Sequence, residues 1–378
     1  MKTIKTPLII LIATTIIIAS SCKPEKDDPK PNTPTYTVPT TYNFVGADFS
    51  SSTKRLSMLA EITTHIRTTH VTTAHGTLDG QKLKDMYANV NSMFTDGSLN
   101  TSGLQLKDVT NNTFNAQAEF EANFMDAVPA SLTASLNPGV TTASNGVAGK
   151  LISGTRYILV DKDGFEYKEF VEKGIMGSVF YYQATKLLNS IGTFDNSAVT
   201  SGTTAQERAW DEAFGYFGVP IDFPTNITGL KNWGSYCNSV SIALGGTTSI
   251  NATIMNAWLK GRAAISNKDA AGRDAARDIV VKTWEKVAAA RFITYIKGAK
   301  SKVGIEPSTV HHNLSEGVGF IHAFKYNSAK TISDSDIDVL LGYFKTGASV
   351  NLYTVTISNL DNAINMVASI FGLDANLL

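Results

Sequence analysis

Between residues 270 and 300 the chain carries an apolar stripe that only a helix presents on one side. Val280, Trp284, Val287, Arg291 and Tyr295 recur at three- and four-residue spacing, widened by Val281, Ala288 and Phe292. The same spacing runs through most of the chain, and few segments alternate with period two. It predicts helices near 51–74, 79–91, 113–136, 164–189, 203–217, 250–267, 270–300, 307–326, 333–344 and 357–371. Ser333-Asp334 supplies a start signal for the ninth, and Asn359-Leu360-Asp361 an alternative start for the last. The exception is Tyr157-Ile158-Leu159-Val160 followed by Asp161-Lys162-Asp163-Gly164, which reads as a short strand and turn near 157–164. Long polar loops are expected at 95–112, 137–156, 190–203 and 218–249. The last of these holds Pro220, Asp222, Pro224, Trp233, Tyr236 and Cys237, and its aromatics and prolines argue against disorder. The expectation is an all-α fold of about ten helices in a bundle.

The front of the chain is built differently. Lys2 and Lys5 precede an apolar stretch from Leu8 to Ala19, and Ala19, Ser20 and Ser21 lead to Cys22. This is the pattern of a lipoprotein signal peptide over 1–21, although a larger aliphatic residue is usual where Ala19 stands. The apolar run falls short of the roughly 20 residues that a membrane-spanning helix needs. Cys22 is then the lipid-attachment residue, and several acyl chains on it would hold the protein to a membrane leaflet. Residues 22–42, rich in Pro, Thr and charge, cannot bury enough surface to fold and read as a tether. Glu25-Lys26-Asp27-Asp28 within it resembles the lysine-acid signal that sends Bacteroidetes lipoproteins to the outer face of the outer membrane. Residues 43–378 remain as the helical domain.

Lysine plus arginine and aspartate plus glutamate both total 33, so no basic field attracts nucleic acid. Only two cysteines are present, and with Cys22 acylated Cys237 is alone. No intramolecular disulfide supports the fold, which must be held by its core.

Two segments 104 residues apart match position by position: Arg208–Phe217 (RAWDEAFGYF) and His312–Ile321 (HNLSEGVGFI). Trp210, Phe214 and Phe217 share one helix face, as do Leu314, Val318 and Ile321. Glu212 with Gly215, and Glu316 with Gly319, fall on the other. Glycine inside a helix costs about 1 kcal/mol against alanine, which suggests that a second helix approaches closely at each. A fainter echo pairs Lys173-Gly174 with Lys260-Gly261. Coincidence between amphipathic helices and an ancient duplication giving pseudo-duplicated halves both fit these matches.

The blocks Trp210–Pro224, Met255–Asp269 and Leu314–Asn327 resemble an uncharacterised family of Bacteroidetes lipoproteins, a domain of unknown function, over about residues 42–373. More distantly, a duplicated helical, envelope-anchored domain is similar to the imelysin group, which pairs two helical bundles and is linked to iron uptake and to peptidase activity. The hallmark of that group, Gly-x-His-x-x-Glu, is missing: His312 to Glu316 has one residue more.

His312 and Glu316 sit one helical turn apart, so both could reach one ion or bond to each other. Glu212 could join them if the echoed helices pack together, with Asp211 and Glu207 in reserve. The alternative is a buried carboxylate satisfied by a neighbouring Tyr, His or Arg208. Trp233, Tyr236 and Tyr216 could form a platform for a sugar or peptide, or pack the 218–249 loop onto the bundle. His65, His70 and His75, five residues apart, do not share a helix face. Asp161-Lys-Asp163-Gly164 fails as a calcium loop, because Leu159 and Phe170 stand where carboxylates are required. No phosphate-binding glycine loop, zincin motif or nucleophile elbow is present.

The expectation is a surface-exposed outer-membrane lipoprotein that binds without catalysing. It would serve metal or iron acquisition, with a divalent metal or iron as cofactor and an outer-membrane receptor or small ligand as partner. The alternatives are a metal-dependent hydrolase using Glu212, His312 and Glu316, and a glycan-binding accessory protein using the loop aromatics.

Overall fold

The computed structural model describes residues 36–71, 79–113, 116–121, 141–245 and 249–378. Segment 1–21, Cys22 and the tether to residue 35 lie outside the described residues. So do most of the helix expected over 113–136, of which one turn is described (Ala116–Glu119), and His75.

The chain from Tyr36 to Leu378 is one compact unit, mostly helical, close to the limits that periodicity predicts. Its longer helices are α1 (Ser50–Val71), α2 (Gly80–Tyr87), α3 (Tyr167–Ile175), α4 (Tyr182–Asn189), α5 (Ala205–Phe217) and α6 (Asn232–Ala243). They continue as α7 (Ile250–Ser266), α8 (Ala270–Lys300), α9 (Pro307–Phe324), α10 (Asp334–Gly342) and α11 (Ile357–Phe371). Strand β1 (Gly149–Ser153) pairs antiparallel with β2 (Arg156–Val160) through a two-residue turn that begins at Gly154, whose φ is +57°. The expected strand is therefore one arm of a hairpin, and the expected 137–156 loop supplies the other. Two further hairpins have strands of only two residues. Among the described residues, no helix is long and apolar enough to cross a membrane.

Capping side chains set where helices start. Thr204 and Ser333 form capping boxes with Glu207 and Asp336, and Asp79, Ser249, Asp269 and Thr356 each accept a first-turn backbone N–H. The last helix thus begins at Thr356 and not at Asn359.

The 218–249 segment is not one long loop. Residues 232–243 form α6, which places Trp233, Cys237 and Val240 in the core at helical spacing. Its asparagine, glycine and serine content favours turns, and burial of that stripe overrides the local preference.

Of the stripe read from α8, Val280, Val281, Trp284, Val287, Ala288 and Phe292 are buried while Arg291 and Tyr295 are half-buried, and Glu285, Ala289, Ala290, Ile293 and Ile296 are buried too. The helix is enclosed on nearly every side, with α6, α7, α9 and α11 packed against it. Trp284 lies at the centre, edge-on to Phe217 at 4.9 Å, Tyr181 at 5.6 Å, Trp233 at 5.8 Å and Trp258 at 6.5 Å, and Trp258 in turn meets Trp210 at 5.4 Å. All four tryptophans therefore belong to one aromatic core.

Between α3 and α4 the chain passes through a π-helical stretch, Met176–Tyr181. Two of its carbonyls serve outside donors: Met176 O accepts the Trp233 indole N–H and Ser178 O the backbone N–H of Asn111.

The glycines of the two echoed helices do admit other helices. A Cβ on Gly215 would collide with Ser52 Oγ and lie 2.7 Å from Phe49 Cβ at the start of α1, and one on Gly319 would collide with Lys173 Cβ of α3. Gly342, at the exposed end of α10, faces open space. Gly215→Ala is therefore expected to destabilise by about 1–2 kcal/mol, net of the roughly 1 kcal/mol that helix propensity returns. Gly342→Ala should be neutral or stabilising, and urea unfolding of the two variants compares them directly.

Candidate metal centre

The site begins with the turn that follows β2. Asp161 Oδ1 accepts the backbone N–H groups of Asp163 and Phe165, each at 2.9 Å, and so closes the turn. Burial pushes the Asp161 carboxyl up to about 6, although those two donors pull it the other way. Gly164 adopts φ +88°, and a Cβ there would lie 2.5 Å from the His311 ring. His311 Nδ1 donates to the Gly164 carbonyl at 2.8 Å, which assigns the proton to that nitrogen, and burial lowers its pKa. The Glu166 backbone N–H donates to Ser315 Oγ at 2.8 Å, and Ser315 Oγ donates to the His311 carbonyl at 2.7 Å. Through these contacts the start of α3 is fastened to the middle of α9.

Fastened in this way, Glu166 Oε2 lies 2.7 Å from His312 Nδ1, and Glu169 Oε1, one turn along α3, lies 3.7 Å from the same nitrogen. On the other side of the ring, His312 Nε2 is 3.6 Å from Glu316 Oε1. One donor atom each from Glu166, Glu169 and His312 falls within 4.8 Å of the others. Donors around one first-row ion sit about 3–3.5 Å apart, so about 1 Å of carboxylate movement would close the set.

Lys173 lies beneath this group. Its ammonium is buried and meets Glu169 Oε2 at 2.9 Å, Glu172 Oε1 at 3.2 Å and Glu316 Oε2 at 3.3 Å. It also lies 5.3 Å from the centre of the Tyr236 ring, whose hydroxyl donates to Glu316 Oε2 at 3.3 Å. Lys168 pairs with Glu169 and, at 3.4 Å, with Glu172. Burial alone would favour a neutral Lys173, but Glu169, Glu172 and Glu316 outweigh it and raise its pKa well above normal. Burial would also raise Glu169, yet Lys173, Lys168 and His312 hold it well below the usual carboxylate range. Glu316 is raised, because its burial exceeds what Lys173 returns. His312 is lowered by burial and raised by its hydrogen bond to Glu166 and by the charges of Glu166, Glu169 and Glu316; the carboxylates win, and its pKa is raised.

His312, Glu166 and Glu169 face a cavity of about 490 Å³. Its walls come from the end of α1, the β1–β2 hairpin, α3 and α9, with Arg67, Arg156 and Lys168 among the lining residues. The arrangement offers one imidazole and two carboxylates to an ion, with solvent access from one side.

The residues expected at a site are placed as follows. His312 and Glu316 are neighbours. Glu212 does not join them: it faces α1, 3.9 Å from Arg55, and accepts a hydrogen bond from Tyr216 Oη at 3.4 Å. Asp211 and Glu207 are both taken up by Arg262, at 2.8 and 2.6 Å. Trp233 and Tyr216 form no open platform, since they are 1% and 0% exposed and pack inside the bundle. Tyr236 is half-buried, its ring edge-on to Phe320 at 5.2 Å, and its hydroxyl points at Glu316. Cys237 is a buried thiol whose Sγ–H donates to Asn251 Oδ1 at 3.3 Å, and burial pushes its pKa up. Glu166 and Glu169 were not anticipated. Their signal was the spacing Glu166-x-x-Glu169-x-x-x-Lys173, which puts two acids and a base along one face of α3.

The family described as a domain of unknown function (DUF4856) matches residues 39–374. No curated protein and no solved structure matches the chain.

Lys173→Met should cost about 3–5 kcal/mol, because it leaves Glu169 and Glu316 buried without their shared cation. The pH dependence of His312 has a definite sign. Its folded pKa is above the ordinary value of about 6.5, so its contribution to stability is full below that value and fades as pH rises through the folded one. With a chelator present, the stability gap between wild type and His312→Gln should therefore be widest in mild acid and shrink toward alkaline pH. Urea unfolding across a pH series measures it, and a gap widening with pH would contradict the assignment.

Proposed function

Since the chain belongs to this family of unknown function, we propose from its own residues that it is a lipid-anchored, non-enzymatic binding protein that takes up a divalent first-row metal ion at Glu166, Glu169 and His312. The observation that carries the proposal is the meeting of those three donors on the floor of an open cavity. One nitrogen and two carboxylate oxygens suit Mn²⁺, Fe²⁺ or Zn²⁺. Glu316 serves the site from behind: it sits against the far nitrogen of His312 and orients the ring, as outer carboxylates do for ligating histidines. Lys168 has Glu172 as a second partner, so it can release Glu169 to an ion. The hydrolase alternative has less support, because Glu212 lies with Arg55 and Tyr216. The glycan alternative loses its platform with the burial of Trp233 and Tyr216.

The location we propose is the outer face of the outer membrane, with Cys22 acylated and Lys26-Asp27-Asp28 directing export, in a Bacteroidetes cell. Metal or iron acquisition beside an outer-membrane receptor is the role that fits such a place. The paired Glu-x-x-Gly helices support a distant relation to the imelysin group.

Elemental analysis and calorimetry with Mn²⁺ or Zn²⁺ should find about one ion per chain. Glu166→Gln and His312→Ala should each weaken binding by 10-fold or more, and Glu212→Gln should leave it unchanged. Affinity should fall as pH drops below the raised His312 pKa, because the proton competes for the ligand nitrogen. Absence of binding at neutral pH would reduce the cluster to a structural ion-pair network. For the anchor, Cys22→Ser should release the protein from membranes. Alanine at Lys26, Asp27 and Asp28 should leave it membrane-bound but shielded from external protease.

A further inference from the structure

The cavity above the three donors is not lined as a site for a bare cation would be. Arg67 and Arg156 reach it from opposite elements, the end of α1 and the β1–β2 hairpin. Both side chains are exposed, and among the described residues neither makes a side-chain hydrogen bond or a close ion pair, although Glu306 feels the charge of Arg156. Lys168 is a third cation on the wall.

In and beneath the cavity Glu166, Glu169, Glu172 and Glu316 are matched by Lys168, Lys173, Arg67 and Arg156. A divalent ion bound through a neutral His312 would leave two positive charges uncompensated. Arg291, whose guanidinium lies over the Tyr236 and Tyr295 rings, adds to the same sign. Three protein donors also leave an ion with open coordination positions, and the cavity that the donors line is lined by both arginines as well. A small dianion fills both needs: its oxygens complete the coordination sphere, and its second charge meets planar guanidinium donors. The space of about 490 Å³ is ample for such a molecule.

We propose that the cavity takes the metal as its complex with a small dianionic oxygen ligand, a dicarboxylate or a phosphate, with Arg67 and Arg156 binding the anion while Glu166, Glu169 and His312 hold the ion. This rests on the metal reading above and deepens it. The metal and the anion then bind cooperatively, each raising the affinity of the other by the same factor.

Calorimetry on the full chain tests this with Mn²⁺ as the ion and malonate or inorganic phosphate as the anion, each chosen because it holds Mn²⁺ weakly in water. Saturating malonate or phosphate should tighten Mn²⁺ binding 10-fold or more. The anion that gives the larger effect identifies the source as carboxylate or phosphate. The double variant Arg67→Gln/Arg156→Gln should bind Mn²⁺ alone at least as tightly as wild type, because two nearby cations are gone, and lose the enhancement. Mn²⁺ binding that is indifferent to both anions, or weakened by them, overturns the ternary site and leaves the metal reading standing. An enhancement that survives the double variant overturns the role of the arginines. Failure to bind Mn²⁺ with or without anion overturns both readings. Anion binding of equal strength without Mn²⁺ overturns the cooperative site alone.

Discussion

An ammonium group removed from water has to be met by carboxylates, and in this protein the ammonium of Lys173 governs what surrounds it. Two of its partners, Glu169 and Glu172, lie on its own helix, and the third, Glu316, comes from α9. A lone buried charge would cost several kcal/mol, and Glu316 adds a counter-charge from α9 to the two that α3 supplies, which ties the two helices together at this level. The same carboxylates then crowd His312 and hold its imidazole toward the charged form. The candidate metal centre is thus the outer edge of an ion-pair network whose inner edge is structural.

Close approach of the two helices is what makes that network reachable. Gly319 lets the backbone of α9 come against Lys173 Cβ, and Gly164 lets the turn before α3 fold over His311. The other echoed helix uses the same device with different chemistry. Gly215 admits α1, but Glu212 beside it meets Arg55 and Tyr216, and the buried cation of that half, Arg262, is neutralised by Asp211 and Glu207. One helix of the echo thus faces a cavity at its histidine, while the acids of the other pair with Arg55 and Arg262.

Much of the fold was legible because periodicity reports burial. The stripe of α8 named its buried face, and the start of α10 at Ser333 followed from its cap. The failures have physical causes. Asn232–Ala243 is a helix made of turn-forming residues, held by Trp233, Cys237 and Val240, and its pattern shows only when those three are seen as one stripe. The first arm of the hairpin, Gly149–Ser153, is too short for alternation to stand out. Trp233 and Tyr216, read as part of a ligand platform, are core residues for the same reason that they drew notice: large rings are the first to be buried.

For the site, sequence alone determined the residue types and the local pairs: an i, i+4 couple in His312 and Glu316, and a glycine three residues beyond Glu316. Such statements need only the geometry of one helix or one segment. Tertiary structure alone decided that Glu166 and Glu169 face His312, about 146 residues away in the chain, and that Glu212 does not. That choice depends on which helix fills the groove beside a glycine and on where a buried lysine finds its counter-charges. Neither is encoded in the spacing of residues along one helix, because both are settled by the packing of one helix against another.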